Sequence, residues 1–257
     1  MNTIAEKLWQ CTEELCAYFE THPVHKQGVR VLYPSRYCRR QFQAFYDLAG
    51  VGGLLIVGMN PGPNGMGQTG CAFTDQPNVR DLIGADVLRW HDGDLSPDPV
   101  GRWRFDNGES NREEDSASRL WPLLVELVSE RGGLTIASKA GGRRNVARNV
   151  VMINACPLLW LNERGANVSA NDSQKRVVMT PEHFAEIHKY LRRIADDILA
   201  PAAIVAAGDW AAQRCRMAFG PGKLSKMTHP SPIAGNEETW RGKASPVLRA
   251  ALDKVFA

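Results

Sequence analysis

The sequence predicts an α/β fold, a single domain over residues 1–257 with a central four-stranded parallel sheet flanked by helices. Four short apolar runs alternate with longer segments in which apolar residues recur at helical spacing, and this alternation favours a parallel sheet with helices on both faces. The length of 257 residues and the hydrophobic content of 44% suit one large domain with a sizeable core.

The predicted elements follow in chain order. The strands are the four apolar runs, which lie at Leu54–Val57, Val150–Asn154, Ala203–Ala207 and Leu224–Met227. The helices are Ile4 to Glu20, Gln41 to Leu48, Ser118 to Glu130, Pro181 to about Leu199, Asp209 to about Phe219, and about Trp240 to Val255. Thr180 and Pro181 are typical of an N-cap and a first helical turn. The polar segment from Asp92 to Asp115 is predicted to be a long loop.

The first segment with chemical capacity follows the first strand. A buried strand that runs into Gly, Pro and Asn must turn sharply, and open α/β sheets bind ligands at the carboxyl ends of their strands. Asn60 is the one side chain of this turn that can do chemistry. The segment alone is equally consistent with a structural turn. Its sequence is Gly58-Met59-Asn60-Pro61-Gly62-Pro63-Asn64-Gly65-Met66.

Two further segments follow other strands. Asn154 ends the second strand, and His229 comes just after the fourth, where Pro230 and Pro232 stiffen the chain. The carboxyl ends of parallel strands lie at one edge of the sheet. We therefore expect Asn60 and His229 to lie close together, although about 170 residues separate them in sequence.

With these three segments, the chain resembles the single-strand-selective monofunctional uracil-DNA glycosylases, within the uracil-DNA glycosylase superfamily. The main motifs are Gly58 to Pro63 with its continuation through Phe73, Asn154-Ala155-Cys156-Pro157-Leu158-Leu159, and His229-Pro230-Ser231-Pro232 followed by Trp240. Weaker matches are Arg36-Tyr37-Cys38, Ser118-Arg119-Leu120-Trp121, and Ile204 to Gln213. The motifs keep the order of the family from about Arg36 to Trp240.

The chain departs from the family pattern at a few positions. Asn64 stands where an aromatic residue is common, and Ala72 and Thr74 flank Phe73 where Pro and Gly are more usual. After the third motif the family often has a basic residue, whereas this chain has Ile233. The last difference concerns how the loop holds DNA rather than the chemistry of the pocket.

The resemblance implies hydrolysis of an N-glycosidic bond, which releases free uracil and leaves an abasic sugar. The substrate and partner would be uracil-containing DNA, single- or double-stranded. The target base would rotate out of the helix, at a cost that is smaller for a mismatched or unpaired base. Gly62 stands where the main uracil-DNA glycosylases carry a tyrosine that blocks a 5-methyl group, which suggests tolerance of 5-hydroxymethyluracil. A glycine needed only for the turn is an equally good interpretation.

Two residues would be catalytic. His229 would donate a hydrogen bond to uracil O2 as negative charge develops on the base, either as a neutral or as a cationic imidazole. Asn60 would orient the attacking water, since an amide cannot take up a proton as a carboxylate does. No motif marks a lysine nucleophile, so a strand-cutting step is not expected.

The expected substrate-binding residues are Met59, Gly62, Phe73 and Asn154. Asn154 would donate to uracil O4 and accept from N3–H, a pattern that cytosine cannot match, and Phe73 would stack on the base.

The expected DNA-binding residues are Pro230, Ser231, Pro232 and Ile233. Ile233 is predicted to enter the gap left by the flipped nucleotide, as apolar wedges do in other DNA-binding proteins. The alternative is a buried anchor of the loop.

Composition limits the remaining possibilities. The net charge of +3 does not by itself indicate a nucleic-acid binder. The six cysteines form no Cys-x-x-Cys pair and no clear ligand set, so we expect no metal, no iron–sulfur cluster and no other cofactor. We expect reduced thiols in a monomeric cytosolic protein, or a nuclear one in a eukaryote, without an export signal or membrane span.

Three alternatives stay open at this point. A glycosylase could prefer another deaminated base such as xanthine, or the chain could be a catalytically silent nucleic-acid-binding module. The presence of both Asn60 and His229 argues against the silent module. A hydrolase of free nucleosides commonly uses an Asp-rich metal site, and the sequence has no such motif.

Overall fold

The computed structural model describes residues 3–84, 113–132, 138–222 and 224–257. Within these ranges the helices are α1 (Ile4–Thr21), α2 (Pro34–Tyr37), α3 (Arg39–Tyr46), α4 (Met66–Thr69), α5 (Gln76–Ile83), α6 (Asp115–Gly132), α7 (Lys139–Asn149), α8 (Pro181–Arg192), α9 (Asp209–Phe219) and α10 (Glu237–Val255). The strands are β1 (Arg30–Leu32), β2 (Leu54–Gly58), β3 (Val150–Asn154), β4 (Leu159–Leu161), β5 (Asn167–Val168), β6 (Ala203–Ala207) and β7 (Leu224–Met227).

The predicted four-stranded parallel sheet is confirmed. Its strand order is β3-β2-β6-β7, and each neighbouring pair is parallel. Every residue of β2, β3 and β6 is buried, as expected for strands that are covered on both faces. Gly58 at the end of β2 is in register with Asn154 at the end of β3. This register brings the first two motifs side by side.

The helices cover the sheet and enclose the core. Helices α9 and α10 both pack on β6 and β7, α6 packs on α10 and α7, and α1 packs on α3 and α8. The largest fully buried side chains include Trp121, Trp160 and Trp240. A continuous cluster of buried apolar residues extends from α1 to α10.

A second sheet was not predicted. It is antiparallel, with strand order β1-β4-β5, and its strands have three, three and two residues. Segments this short carry no visible alternation in sequence, so pairing with distant residues decides their conformation. Strand β5 matters for the site because the residues at and just after it lie against the turn that follows β2.

The predicted helix boundaries are correct to within a few residues. Helix α6 begins at Asp115, three residues before the predicted start, and α10 begins at Glu237 behind an Asn236 N-cap whose side chain accepts from Thr239 N at 2.8 Å. Helix α8 continues as a π-helix over Arg193–Leu199, so the predicted end is confirmed although the winding changes. Of the loop predicted from Asp92 to Asp115, the part up to residue 112 lies outside the described residues. None of the described helices is long and apolar enough to cross a membrane.

Candidate active site

A cavity of about 280 Å³ opens where the turns after β2, β3 and β7 meet. Its size is close to the lower end of the range for small-ligand sites, about 300–1,000 Å³. The structure brings together the predicted catalytic and substrate-binding residues at its wall: Met59, Asn60, Gly62, Phe73, Asn154 and His229. The walls also include Ser231 and Pro232 of the third motif.

Backbone hydrogen bonds join the turns after β2 and β3. Ala155 N donates to Gly58 O and Cys156 N donates to Met59 O, each at 2.9 Å. The parallel ladder therefore continues past the ends of both strands and sets the separation of the two turns. Gly58 permits this approach, because a Cβ on it would lie 2.5 Å from both Asn154 Oδ1 and Phe73 Cζ.

Asn60 is held with one acceptor site free. Its Nδ2 donates to Pro61 O at 3.2 Å and to Val168 O at 3.4 Å, and its Oδ1 accepts from Ala170 N at 3.0 Å. An amide oxygen has two lone pairs, so one remains to accept a hydrogen bond from a bound water. This arrangement can orient water, and it leaves no donor on Asn60 for other tasks.

Asn154 is buried at the cavity wall with its amide almost unused. Its Nδ2 lies 3.2 Å from Met66 Sδ, and a thioether is only a weak acceptor. A buried amide without strong partners is costly unless a ligand supplies them. The side chain therefore offers a donor and an acceptor to a ligand in the cavity.

Phe73 has an uncommon backbone conformation. Its φ is 53°, in the left-handed region that costs most residues about 1–2 kcal/mol. The conformation is held because Trp121 Nε1 donates to Phe73 O at 3.0 Å and the side chain is buried. Its ring centroid lies 5.9 Å from that of His229, at an angle of 43°. Backbone strain of this kind is concentrated at functional sites.

His229 lies behind β7 in a partly buried position. Burial lowers its pKa below the usual value, because desolvation disfavours the imidazolium. The neutral form therefore predominates at pH 7 and carries one N–H donor. Gly208 packs close to His229, because a Cβ added to Gly208 would lie 3.4 Å from His229 Cβ. The sequence left the protonation state of His229 open, and the direction of this pKa shift favours the neutral imidazole.

Two side chains anchor the loop that follows His229. Trp240 Nε1 donates to Thr228 O at 3.0 Å, and Arg119 Nη1 donates to Ser231 O and to Gly235 O, each at 3.0 Å. Arg119 and Trp240 both lie in segments that resemble the family, but the sequence predicts no role for either side chain. Their contacts fix both ends of the loop on the body of the protein.

The four predicted DNA-binding residues differ in exposure. Ile233 is 97% exposed, in the single 3-10 turn Pro232–Ala234, so its alternative interpretation as a buried anchor is wrong. Pro232 is also exposed and Ser231 partly so. Pro230 is buried and is therefore placed to stiffen the loop rather than to contact DNA.

A model of the uracil DNA glycosylase superfamily matches residues 51–255. The chain belongs to this superfamily. The matched region contains the turns after β2, β3 and β7, and so it contains the whole cavity wall described above.

Proteins from three mammals are similar to this chain over most of its length. It is 29% identical to a single-strand selective monofunctional uracil-DNA glycosylase of Rattus norvegicus over 214 residues, which are 78% of this chain and 63% of the relative. It is 28% identical to the Mus musculus protein of that name over 84% of this chain and 69% of the relative, and 27% identical to the Bos taurus protein over 78% and 64%. The chain thus spans about two thirds of the length of these proteins.

The crystal structure of wild-type Pedobacter heparinus SMUG2 has the same fold. The two chains superpose with a TM-score of 0.61 at 17% identity, over 97% of this chain and 98% of the other. At this identity the similarity concerns the fold alone.

The sequence did not predict that Glu114 lines the cavity. Its side chain lines the cavity just before α6, and burial, together with the charges of Asp75 and Asp115, raises its pKa to about 7. The acidic run from Glu113 to Asp115 is typical of a solvated surface, which conceals the residue. Its position four residues before Ser118 of the Ser-Arg-Leu-Trp match is the one signal that could have found it.

In the described ranges, no group of three or more His, Cys, Asp or Glu residues is placed to hold a metal ion. All six cysteines are buried and free. Burial raises the pKa of Cys11, Cys16 and Cys215 to about 12, and the pKa values of the other three thiols are also raised.

Proposed function

We propose that this protein is a monofunctional uracil-DNA glycosylase. It hydrolyses the N-glycosidic bond of uracil, and of 5-hydroxymethyluracil, in single- and double-stranded DNA and leaves an abasic site. The observation that carries the proposal is the meeting of Asn60, Phe73, Asn154 and His229 at one cavity. The names of the mammalian relatives support the same activity. A silent binding module has no need of this combination of residues.

Recognition would depend on Asn154 and Phe73. The flipped base stacks on Phe73, and the amide of Asn154 donates to O4 and accepts from N3–H. Cytosine presents a donor and an acceptor in the reverse order, so it would leave both groups of the buried amide unsatisfied. Sites built in this way reject the wrong base strongly, because an unpaired buried polar group costs about 1–3 kcal/mol.

Bond cleavage would depend on His229. As the bond between C1′ and N1 breaks, negative charge moves onto the base and positive charge onto the sugar. Neutral His229 donates its N–H to O2 and stabilises that developing anion. A preorganised donor of this type contributes about 2.7–4 kcal/mol to the transition state.

Water addition would depend on Asn60. Its free Oδ1 lone pair accepts a hydrogen bond from the water that attacks the sugar cation at C1′, and the proton that the water loses passes to the departing uracil anion. Because an amide does not remove the proton, the sugar cation must be reactive enough to capture weakly activated water. No lysine is present among the described residues that line the cavity, which supports a hydrolytic reaction without a lyase step.

A cleavage assay in excess EDTA tests the proposal. Purified protein is incubated with end-labelled oligonucleotides that carry one uracil, 5-hydroxymethyluracil, xanthine or cytosine, and alkali then cuts abasic sites. We expect release of uracil and no strand break before alkali. Preference for xanthine would assign another substrate, and absence of cleavage on every base would contradict the proposal.

Two variants connect the activity to the site. Asn60→Ala and His229→Ala should each lower the single-turnover rate on uracil by at least about a hundredfold, since both residues act mainly in the transition state. DNA binding measured by fluorescence anisotropy should change little. A rate close to that of the wild type would remove the affected residue from the catalytic set.

A further inference from the structure

The hairpin formed by β4 and β5 extends from the active cavity to a second cavity. Asn167 is the first residue of β5 and lies in the wall of the active cavity. Arg164 lies in the wall of a cavity of about 520 Å³ beside the tip of the hairpin. Three residues of extended chain span at most roughly 10 Å, so both side chains belong to one short, continuous piece of surface.

Asn167 has an unused amide at the rim of the active cavity. Successive side chains of a strand point to opposite faces, and here Val168 is fully buried whereas Asn167 is exposed. The amide of Asn167 makes no hydrogen bond with any other residue that the structure describes. Val168 O accepts from Asn60 Nδ2 at 3.4 Å. An accessible donor and acceptor therefore lie one residue away from a contact of Asn60.

The tip of the hairpin is held in shape by one asparagine. Asn162 Oδ1 accepts from Arg164 N at 2.9 Å and from Ala166 N at 3.0 Å. In the backbone, Asn162 N donates to Ala166 O and Gly165 N donates to Asn162 O, each at 2.9 Å. Arg164 is thus an exposed residue on an ordered turn.

The guanidinium of Arg164 is available to an anion. No residue in the described ranges forms an ion pair or a side-chain hydrogen bond with it, whereas Arg176 in the same wall is paired with Asp172. The wall also contains Glu163, but this carboxylate is turned toward Gly28, where an added Cβ would lie 2.8 Å from Glu163 Oε1. A guanidinium without a partner can bind a phosphate through two parallel hydrogen bonds.

The proposed function determines which part of the substrate passes this surface. The base would lie against the buried side chains of Phe73 and Asn154, and C1′ would lie beside the water held by Asn60. The phosphates of the flipped nucleotide would therefore lie further out, at the rim that includes Asn167. One strand carries a phosphate about every 3.4 Å along the duplex axis, so Arg164 would meet a phosphate within about three nucleotides of the flipped one.

We propose that the β4–β5 hairpin is a phosphate-binding surface for the DNA strand that carries the target base. This inference rests on the proposed function. Asn167 Nδ2 donates to a phosphate oxygen of the flipped nucleotide, and Arg164 binds a flanking phosphate on the same strand. Both contacts are with the backbone, so they contribute affinity and position but no choice of base.

The salt dependence of binding tests the role of Arg164. Fluorescence anisotropy is measured on a single-stranded oligonucleotide with one 2′-fluoro-2′-deoxyuridine, whose fluorine disfavours the sugar cation and so suppresses cleavage. On single strands, each phosphate contact adds about 0.7 to the slope of log affinity against log salt. Arg164→Gln should lower the slope by about 0.7 and weaken binding at least about threefold at low salt.

The matched control is Arg216→Gln. Arg216 is exposed, lies near the end of α9 and belongs to neither cavity wall. This variant removes the same charge from the protein and should leave the slope unchanged.

Neutral methylphosphonates show which phosphates are bound. Single phosphodiesters are replaced one at a time over three nucleotides on each side of the target. One replacement that weakens wild-type binding should have no effect in Arg164→Gln, and a replacement at the target nucleotide should have none in Asn167→Ala. A residue that only supports the fold would leave the whole profile unchanged.

A change of charge at the same position gives an independent readout. Asn167→Asp keeps the shape of the side chain but repels a phosphate, so it should weaken binding more than Asn167→Ala does at low salt. The two variants should become similar at high salt, where the repulsion is screened.

The outcomes separate the two proposals. An unchanged salt slope in folded Arg164→Gln, or a methylphosphonate profile in folded Asn167→Ala equal to that of the wild type, would overturn this inference. If the wild type still removes uracil, the proposed function stays intact. A wild type that removes no base from any oligonucleotide would contradict the proposed function and this inference with it.

Discussion

At the scale of single residues, Gly58 sets the distance between the two groups that would hold the base. Gly58 is the last residue of β2 and is in register with Asn154. The ring of Phe73, in the segment between α4 and α5, also lies close to Gly58. A methyl group at this position would lie 2.5 Å from Asn154 Oδ1 and from Phe73 Cζ. Both neighbours line the cavity, so a shift of either would change the shape of its wall.

We therefore predict that Gly58→Ala lowers the kcat/KM for uracil excision by at least about a hundredfold, because displacements near 1 Å cost this much in preorganised sites. Gly242→Ala in α10 is the control. It should leave activity unchanged and stabilise the protein by about 0.5–1 kcal/mol, since alanine is the better helix former. The measurements are steady-state kinetics and thermal unfolding. Normal activity of a folded Gly58→Ala protein would show that the pocket tolerates looser packing.

The protonation of His229 gives a prediction about pH. Its pKa is lowered, so the neutral donor is present above the usual value of about 6.5 and is lost in acid. The pKa of Glu114 is about 7, and its ionised form would repel the anion that develops on the base.

We predict that the single-turnover rate of the wild type on uracil falls as the pH rises above about 7, whereas Glu114→Gln keeps a constant rate from about pH 6.5 to 8.5. The measurement is the rate across this range at constant ionic strength. A rate of Glu114→Gln that declines between pH 5.5 and 7 would mean that the imidazolium, not the neutral imidazole, is the active form.

At the scale of elements, the start of α6 organises the cavity from one side. Glu114 precedes the helix, Arg119 holds the carbonyls of Ser231 and Gly235, and Trp121 holds the carbonyl of Phe73. These residues fall within about two turns of one helix. A shift of the start of α6 would therefore move Phe73, the His229 loop and the carboxyl group of Glu114 together.

The loop beyond His229 gives a paired prediction. Arg119→Met keeps the length of the side chain but loses both charge-assisted hydrogen bonds, which contribute about 1.5–3 kcal/mol each. It should slow excision at least about tenfold on single-stranded and duplex DNA alike, because His229 is attached to this loop. The control is Arg249→Met, because the Arg249 side chain pairs with Glu130 instead. This variant should change the excision rate little.

Ile233→Ala should act differently from Arg119→Met. A wedge matters only where stacking must be broken, so the rate should fall about tenfold on duplex DNA and change little on single strands. The readout is the ratio of the two single-turnover rates. If the ratio of Ile233→Ala equals that of the wild type, the isoleucine is not the wedge and the polar residues from Asn236 to Thr239 become the candidates.

At the scale of the whole molecule, the six cysteines report on the packing of the core. All are buried, and burial raises their pKa values, so the reactive thiolate is scarce at neutral pH. We predict that fewer than about one thiol per chain reacts with a thiol reagent within minutes in the native state. In guanidinium all six in the sequence should react. Rapid native reaction of two or more thiols would mean that part of this core opens readily.

The parallel sheet and the three loops that surround the cavity could be predicted from sequence, because each rests on local signals. Apolar runs of four or five residues mark the strands, and Gly, Pro and Asn mark the turns at their ends. The rule that ligands bind at the carboxyl edge then brings Asn60, Asn154 and His229 together. Strands β1, β4 and β5 could not be predicted, since pairing with distant residues defines them rather than composition.

The class of the fold, the superfamily motifs and the residue types available for chemistry can be recognised in the amino-acid sequence alone, because each depends on patterns within a few neighbouring residues. Tertiary structure decided what surrounds those residues. The lowered pKa of His229, the single free lone pair of Asn60 and the carboxyl group of Glu114 between Gly62 and Gly65 all arise from contacts between segments distant in sequence. Burial and neighbouring charge set the properties of a side chain, and both are fixed only when the chain is folded.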